Sequence, residues 1–269
     1  MKKRFALILS VILPAFLIFF SCASDSETEN ENNSLVTEYS GIIYTADDIQ
    51  NLSMEKFSVN PYKGNIDDLI SRIIKSNKNL KSYYTEVSDI GYRDDMFEQE
   101  IIWEMHYEQP ENFEVFQSFR KKDNETLYDQ WKTVDNHTYL YFGFWVKNPD
   151  DFITFHTKTN KELQINTYLD ILEKLNVSDI KTSVTDDKRF VILEFAFDYA
   201  QNFYIGLEGD YNSTCTLWIN SGTLHILKAF VEIQPDYNED ESLRIENIQI
   251  YTEQNSKFNI EAPEEFMEF

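Results

Sequence analysis

The sequence predicts an α+β fold that is mainly antiparallel β, with one curved sheet covered by a few helices. Three observations carry that expectation. Between Glu98 and Trp145, four aromatic-rich runs of strand length are separated by short polar turns at Gln109-Pro110, Lys121–Glu125 and Asp135-Asn136. Aromatic and β-branched residues suit a pleated surface, and Pro, Asp and Asn punctuate it. Between Arg189 and Asp198, residues Val191, Leu193, Phe195 and Phe197 alternate strictly, the period of a strand with one buried side. Ile66, Leu69, Ile70, Ile73 and Ile74 instead recur at helical spacing and draw a single apolar stripe, as a helix packed on a sheet requires.

The chain has 269 residues, 42% of them hydrophobic and 15% aromatic. That length permits one large β domain or two small ones. No repeat and no internal boundary is visible, so residues 41–269 are read as a single domain. Residues 1–21 form a signal segment. Lys2, Lys3 and Arg4 precede an apolar stretch from Phe5 to Phe20, interrupted by Ser10 and Pro14. The stretch is short for a membrane span and turns polar at once, which suits a secretory signal. An uncleaved anchor helix is the alternative. Phe19-Phe20-Ser21-Cys22 resembles the lipobox of bacterial lipoproteins, with Phe19 standing where that family prefers an aliphatic residue. The resemblance implies cleavage before Cys22 and lipidation of its thiol, so that the acyl chains anchor the protein to a membrane. Residues 22–40 follow as an acidic tether. From Ala23 to Ser34 there is no large apolar residue, so burial cannot offset the cost of ordering.

After the tether, Thr45 with Asp48 reads as the start of a short helix that extends to about Met54. Asn60-Pro61 reads as a chain break. Asn65 caps the first long helix, which runs to about Leu80, with Asp67 and Asp68 in its favourable first turn. A strand at about Ser82–Tyr92 leads into the meander, which Asn148-Pro149-Asp150 ends. Lys161–Leu175 is a second helix, with Leu163, Tyr168, Leu169, Leu172 and Leu175 on one side. Strands follow at Ile180–Thr185, Arg189–Asp198, Thr214–Asn220, Thr223–Ile233 and Ser242–Thr252, the third and fourth joined around Ser221-Gly222. In the last strand Leu243 and Ile245 give way to Ile248 and Ile250, a phase change that suggests a bulge. The tail Phe258–Phe266 has apolar anchors that suit an edge cover.

Charge narrows the partners. The formal net charge is −23; removing Lys2, Lys3 and Arg4 from the 24 basic residues leaves 21 against 47 acidic ones, near −26. Nucleic acid is excluded as a partner, because its affinity rests on Lys and Arg neutralising phosphates. The four His have no ligand-type spacing, and Asp236–Asp240 lacks the Gly and Glu of a calcium loop. No nucleophile elbow, P-loop or dinucleotide fingerprint occurs. No catalytic residue, metal or cofactor is expected, and the protein is read as a monomer. If Cys22 is lipidated, Cys215 is the remaining thiol, read as a small buried hydrophobe.

The aromatic excess points to a face. Trp103, Met105, Phe113, Val115, Leu140, Phe142, Leu193, Phe195 and Phe197 share a side within their strands and are expected to line one concave apolar surface. Two readings stay open: a cavity that holds a lipophilic ligand, or a packed core in a protein that binds a protein partner instead.

The order of elements supports a resemblance. A lipobox and tether precede an amphipathic helix that runs straight into Asn79–Tyr84. A mid-chain helix at Tyr168–Leu175, the hairpin Thr216–Lys228 around Leu217-Trp218-Ile219, and the ending Phe258–Phe266 with Pro263 complete the series. Over about Ile66–Phe266 the chain resembles the LolA-like carriers, particularly the lipid-anchored LppX/LprG-type branch. It departs at His225-Ile226, where relatives often carry a Pro. The resemblance implies a half-open, incomplete β-barrel plugged by helices, a lipid or acyl-chain ligand, no cofactor and no catalytic residue. It also implies an address in the bacterial cell envelope, with the body in the periplasm or outside.

Overall fold

Among the described residues, thirteen strands join in one sheet that does not close on itself. The computed structural model describes residues 42–121, 124–147, 159–160, 163–198, 211–235 and 243–268. The signal segment, Cys22, the tether and Asn148-Pro149-Asp150 lie outside the described residues, as do His156 and Asp236–Asp240.

Helix α1 (Ala46–Gln50) begins as its sequence requires. Thr45 Oγ1 accepts from the Asp48 amide at 3.2 Å, and the Asp48 carboxylate accepts from the Thr45 amide at 3.0 Å. Strand β1 (Val59–Pro61) replaces the expected break at Asn60-Pro61. It is the edge strand beside β8 (Lys181–Thr185), where a proline without an N–H leaves no ladder bond unmade. Helix α2 (Ile66–Lys78) is capped by Asn65, and its stripe buries Leu69, Ile70 and Ile73. Strands β2 (Ser82–Arg93), β3 (Met96–Glu108), β4 (Asn112–Lys121), β5 (Asn124–Val134), β6 (His137–Tyr141) and β7 (Trp145–Lys147) form the meander. Helix α3 (Ile165–Lys174) is shorter than expected, with Gln164 at its N-cap. Strands β9 (Phe190–Asp198), β10 (Tyr211–Asn220), β11 (Ile226–Pro235) and β12 (Leu243–Thr252) follow, and β13 (Met267–Glu268) ends the series.

The strand order is β1-β8-β9-β10-β11-β12-β2-β3-β4-β5-β6-β7-β13. Two meanders are therefore joined where β12 pairs with β2. All described pairings are antiparallel except β13 on β7. The tail does more than cover an edge. Phe258 and Ile260 pack with Val134, Tyr139 and Trp145, and Met267-Glu268 then adds a strand beside β7.

The bulge expected in β12 is absent. Its register runs without a break against β2 and against β11. The phase change arises because both sides of the strand are used. Ile245 and Tyr251 join the main core, whereas Ile248 and Ile250 pack on the opposite side beneath the α1 segment. Register breaks occur instead at Gly91/Tyr92, Gln117/Ser118 and Trp218/Ile219.

The third break has a use. It puts Leu227 and Lys228 together opposite Trp218, so both face α1. Lys228 Nζ donates to the Gln50 and Leu52 carbonyls at 2.8 Å each, groups that a helix end leaves without internal partners. Burial, with the Lys56 charge second, pulls the Lys228 ammonium down from 10.5 to about 8. Between those values the unfolded chain holds a proton that the folded chain has released, so stability rises with pH across that window. Urea midpoints should therefore rise between pH 8 and pH 10 more in the wild type than in Lys228→Met. Parallel profiles would exclude this role for the ammonium.

Candidate functional site

Alternation and the β12–β2 ladder decide which side chains share the inner side of the sheet. Tyr83, Thr85, Val87 and Asp89 of β2 stand opposite Tyr107, Met105, Trp103 and Ile101 of β3. These in turn oppose Phe113, Val115, Gln117 and Phe119 of β4. Across the seam, Tyr251, Gln249 and Asn247 lie beside Thr85, Val87 and Asp89. The same side continues through Val231, Cys215 and Phe195.

One apolar cluster unites this side from Val184 of β8 to Leu140 of β6, together with the inward faces of α2 and α3. A flat sheet of 13 strands would be roughly 60 Å wide at the usual strand spacing. Helices of 13 and 10 residues reach only about 20 Å and 15 Å. The sheet must curl for both halves to meet the same two helices, so this side is concave.

Of the nine residues expected to line the face, Trp103, Met105, Phe113, Val115, Leu193 and Phe195 are buried in the cluster, and Leu140 and Phe197 pack against it. Phe142 does not belong. It is 61% exposed, because β6 ends at Tyr141 and residues 142–144 turn the chain through Gly143 at φ +85°. Phe144 is exposed in the same turn.

The concave side is not wholly apolar. Tyr251 Oη donates to Gln249 Oε1 at 2.6 Å, Gln249 Nε2 to Asn247 Oδ1 at 3.1 Å, and Asn247 Nδ2 to Asp89 Oδ1 at 2.6 Å. Tyr168 Oη, from α3, donates to Asn247 Oδ1 at 3.4 Å. The amide of Ile165, in the first turn of α3, donates to Tyr83 Oη at 3.3 Å. Helix α3 is thus pinned to the seam by hydrogen bonds as well as by its apolar side. Sequence reading missed this ladder. Its signal was the phase change in β12, where Asn247 and Gln249 hold the parity of Ile245 and Tyr251.

Asp89 carries the main electrostatic tension. Burial raises its carboxyl from 3.8 to about 6, against the opposing hydrogen bond from Asn247. Cys215 lies in the same core as a buried free thiol, raised by burial. Among the described residues, no group of three or more His, Cys, Asp or Glu is placed to hold a metal ion.

A separate pocket of about 310 Å³ opens on the convex side between α1 and β9, lined by Tyr44, Asp48, Phe57, Arg189 and others. Its charged groups are engaged locally. Asp48 accepts from Thr45, and Arg189 Nε lies 2.7 Å from Asp187 Oδ2 while its guanidinium stands over Phe57 and Phe190. The concave face, with the larger apolar cluster and the polar ladder, is the stronger candidate.

Neither a protein-family model nor a curated protein matches the chain. Among solved structures, LprF from Mycobacterium bovis matches with a TM-score of 0.47 and 11% identity, over 76% of this chain and 99% of that one. The LolA superfamily protein NE2245 from Nitrosomonas europaea matches at 0.30 and 9% identity, over 74% and 96% of the two chains. A DUF1329 family protein from Desulfovibrio piger gives 0.29 and 9%, over 74% and 95%. The functional argument rests on the concave face itself.

Asp89 supplies a test of that geometry. Between pH 4 and pH 6 the folded chain holds a proton that the unfolded chain has released, so stability falls as pH rises through that interval. The wild type should gain on the order of 1–2 kcal/mol relative to Asp89→Asn as pH falls from 7 to 4. Denaturant midpoints of the two proteins at both pH values measure it. A pH-independent difference would mean that the carboxyl is not confined by the ladder.

Proposed function

We propose that this chain is a membrane-anchored envelope lipoprotein that holds a lipophilic ligand, a lipid or its acyl chains, on the concave face. The observation that carries the reading is the combination of an unclosed sheet with one continuous apolar face roofed by two short helices. An unclosed sheet can change its curvature without breaking a ladder, and a roof that packs mainly through apolar contacts can shift on it. Ligand contact on such a face is mostly dispersive. The function is binding and transfer between sites, with no catalytic step and no cofactor. Anchoring comes from acylation of Cys22, whose sequence context motivates it. With a net charge of −23, docking on anionic lipid through a basic patch is not available to the chain.

One observation favours a second reading. Met105, Val115 and Leu193 are completely sealed, as they would be in a filled core whose protein binds another protein instead.

Two measurements separate these readings and test the anchor. The wild type should take up a fluorescent acyl probe, and Phe195→Ala should weaken that uptake while costing less than the ~3–5 kcal/mol typical of a packed core Phe. No uptake by the wild type, together with the full loss of stability, would favour the filled core. Cys22→Ala should abolish fatty-acid labelling and release the body from membranes. Labelling that persists in this variant would overturn the anchor.

A further inference from the structure

One register row crosses the concave side from Gln249 through Val87, Trp103 and Gln117 to Asp129. Two of its members are unusual. The Trp103 indole N–H and the Gln117 side-chain oxygen are both buried without a hydrogen-bond partner. They belong to directly paired residues on adjacent strands, Trp103 of β3 and Gln117 of β4, whose side chains are neighbours on the same face. One is a donor and the other an acceptor, yet they do not bond to each other. Thr85 Oγ1, at a diagonal position on β2, is buried and unpartnered as well.

The fold can satisfy an inward indole when it has no other use for it. Trp131, on the next strand, donates its indole N–H to Asn160 Oδ1 at 2.8 Å, and Asn160 Nδ2 donates in turn to Thr133 Oγ1 at 2.9 Å. Leaving a buried polar group unpaired is costly, and native proteins rarely do it without a reason.

The charge on this side narrows what such a pair would receive. Asp89 and, by register, Asp129 are the carboxylates of the face. Among the described lysines and histidines of β2–β5 and β8–β12, Lys121, the last residue of β4, has inward parity, two register rows beyond Gln117. Arg93, at the exposed end of β2, pairs with Glu98 at 3.7 Å. At the row of Trp103 and Gln117 an anionic head would meet Asp129 and the neighbouring Asp89 in a low-dielectric setting, with Lys121 two register rows away and Arg93 three.

We infer that Trp103 and Gln117 form a subsite for the hydroxyl of a neutral lipophile. A hydroxyl accepts from the indole N–H and donates to the Gln117 oxygen, so one oxygen atom satisfies both groups. An ether or ester oxygen accepts only, and a carboxylate brings charge. The inference rests on the ligand-holding reading of the concave face and adds the chemistry of the head that enters it. The apolar level formed by Met105, Val115 and Trp131, the neighbouring row in the register, would take the chain of the same molecule.

The test compares ligands that share one chain. Purified full-length protein is incubated with oleyl alcohol, oleyl methyl ether or oleate, and the bound fraction is read by native mass spectrometry. The alcohol should be preferred over the ether roughly tenfold, the order expected for one satisfied neutral pair, and oleate should bind less well than the alcohol at pH 8. Gln117→Leu, which keeps the shape, should bring the alcohol-to-ether ratio close to one, and Trp103→Phe should lower it independently. Equal binding of alcohol and ether by the wild type would overturn the subsite. So would a ratio unchanged in both variants, which would mean that the pair holds an ordered water only. Oleate as the preferred ligand would overturn the neutral-head assignment. Failure of all three lipophiles to bind would instead sink the ligand-holding reading and this inference with it.

Discussion

The unbroken ladder between β12 and β2 is the constraint on which the rest of the architecture depends. It pairs Leu243–Thr252 with Tyr84–Arg93 and is the only described hydrogen-bonded strand pairing between the two meanders. Because side chains alternate with a period of two, a slip of one residue there would turn one whole meander inside out relative to the other. The ladder therefore fixes more than adjacency. It places Val87 and Asp89 on the same side as Gln249 and Asn247, and by extension Trp103 on the same side as Phe195. The two partners lie far apart in the chain, so closing this seam carries a loop-closure cost that local hairpins avoid. Apolar burial under α2 and α3 offsets that cost, and the hydrogen bonds from Tyr168 and Ile165 set where α3 lies.

Local features were legible wherever a short stretch determines its own geometry. The Thr45–Asp48 capping box, the Asn65 cap, the α2 stripe and the alternation of β9 are each encoded within a few residues, and the structure contains all of them. Errors arose where a distant partner decides. Pro61 looked like a break because nothing nearby announces β8 as its neighbour. The phase change in β12 looked like a bulge because a strand with one wet side was assumed, whereas α1 covers the second side. Phe142 was assigned to the face by continuing an alternation past the point where β6 stops. At the candidate site, the strand pattern showed which apolar side chains share the main core, Phe142 apart. It did not show the polar ladder, because Asn247 and Gln249 look solvent-facing until the seam places them inside.

The two sides of the sheet divide the chemistry. On the convex side of β2 and β3, Glu86 stands directly opposite Glu104, and burial followed by the charges of Glu104 and Glu100 raises the Glu86 carboxyl. Arg120 meets Glu100 at 2.8 Å, and Lys132 meets Glu114 at 2.9 Å, on that same side. Cations there pair with acids at the surface, which lessens the self-repulsion of a strongly acidic chain. On the concave side, the row of Trp103 and Gln117 and the Asp89 row beside it hold no described cation; Lys121 and Arg93 come only at the strand ends. The carboxyl at Asp89 is instead held by an amide, which tolerates either protonation state: a neutral acid and a carboxylate both accept from Asn247 Nδ2.

This division explains how the concave face can keep polar atoms without partners. Each unsatisfied buried group costs about 1–3 kcal/mol, a large fraction of the stability of an ordinary domain. A protein with one core would have little room for such losses. Here Phe190, Ile192, Trp218 and Ile250 bury a second cluster on the convex side, roofed by Ile49 and Leu52 of the α1 segment. Each fully buried large side chain there contributes about 1.5–3 kcal/mol. The bulge that turns Leu227 and Lys228 toward α1 ties that roof down. Stability supplied outside the concave side relaxes the demand for perfect packing within it. The side under least pressure to be perfectly satisfied is then the one that can retain Trp103 and Gln117 as a free donor and a free acceptor.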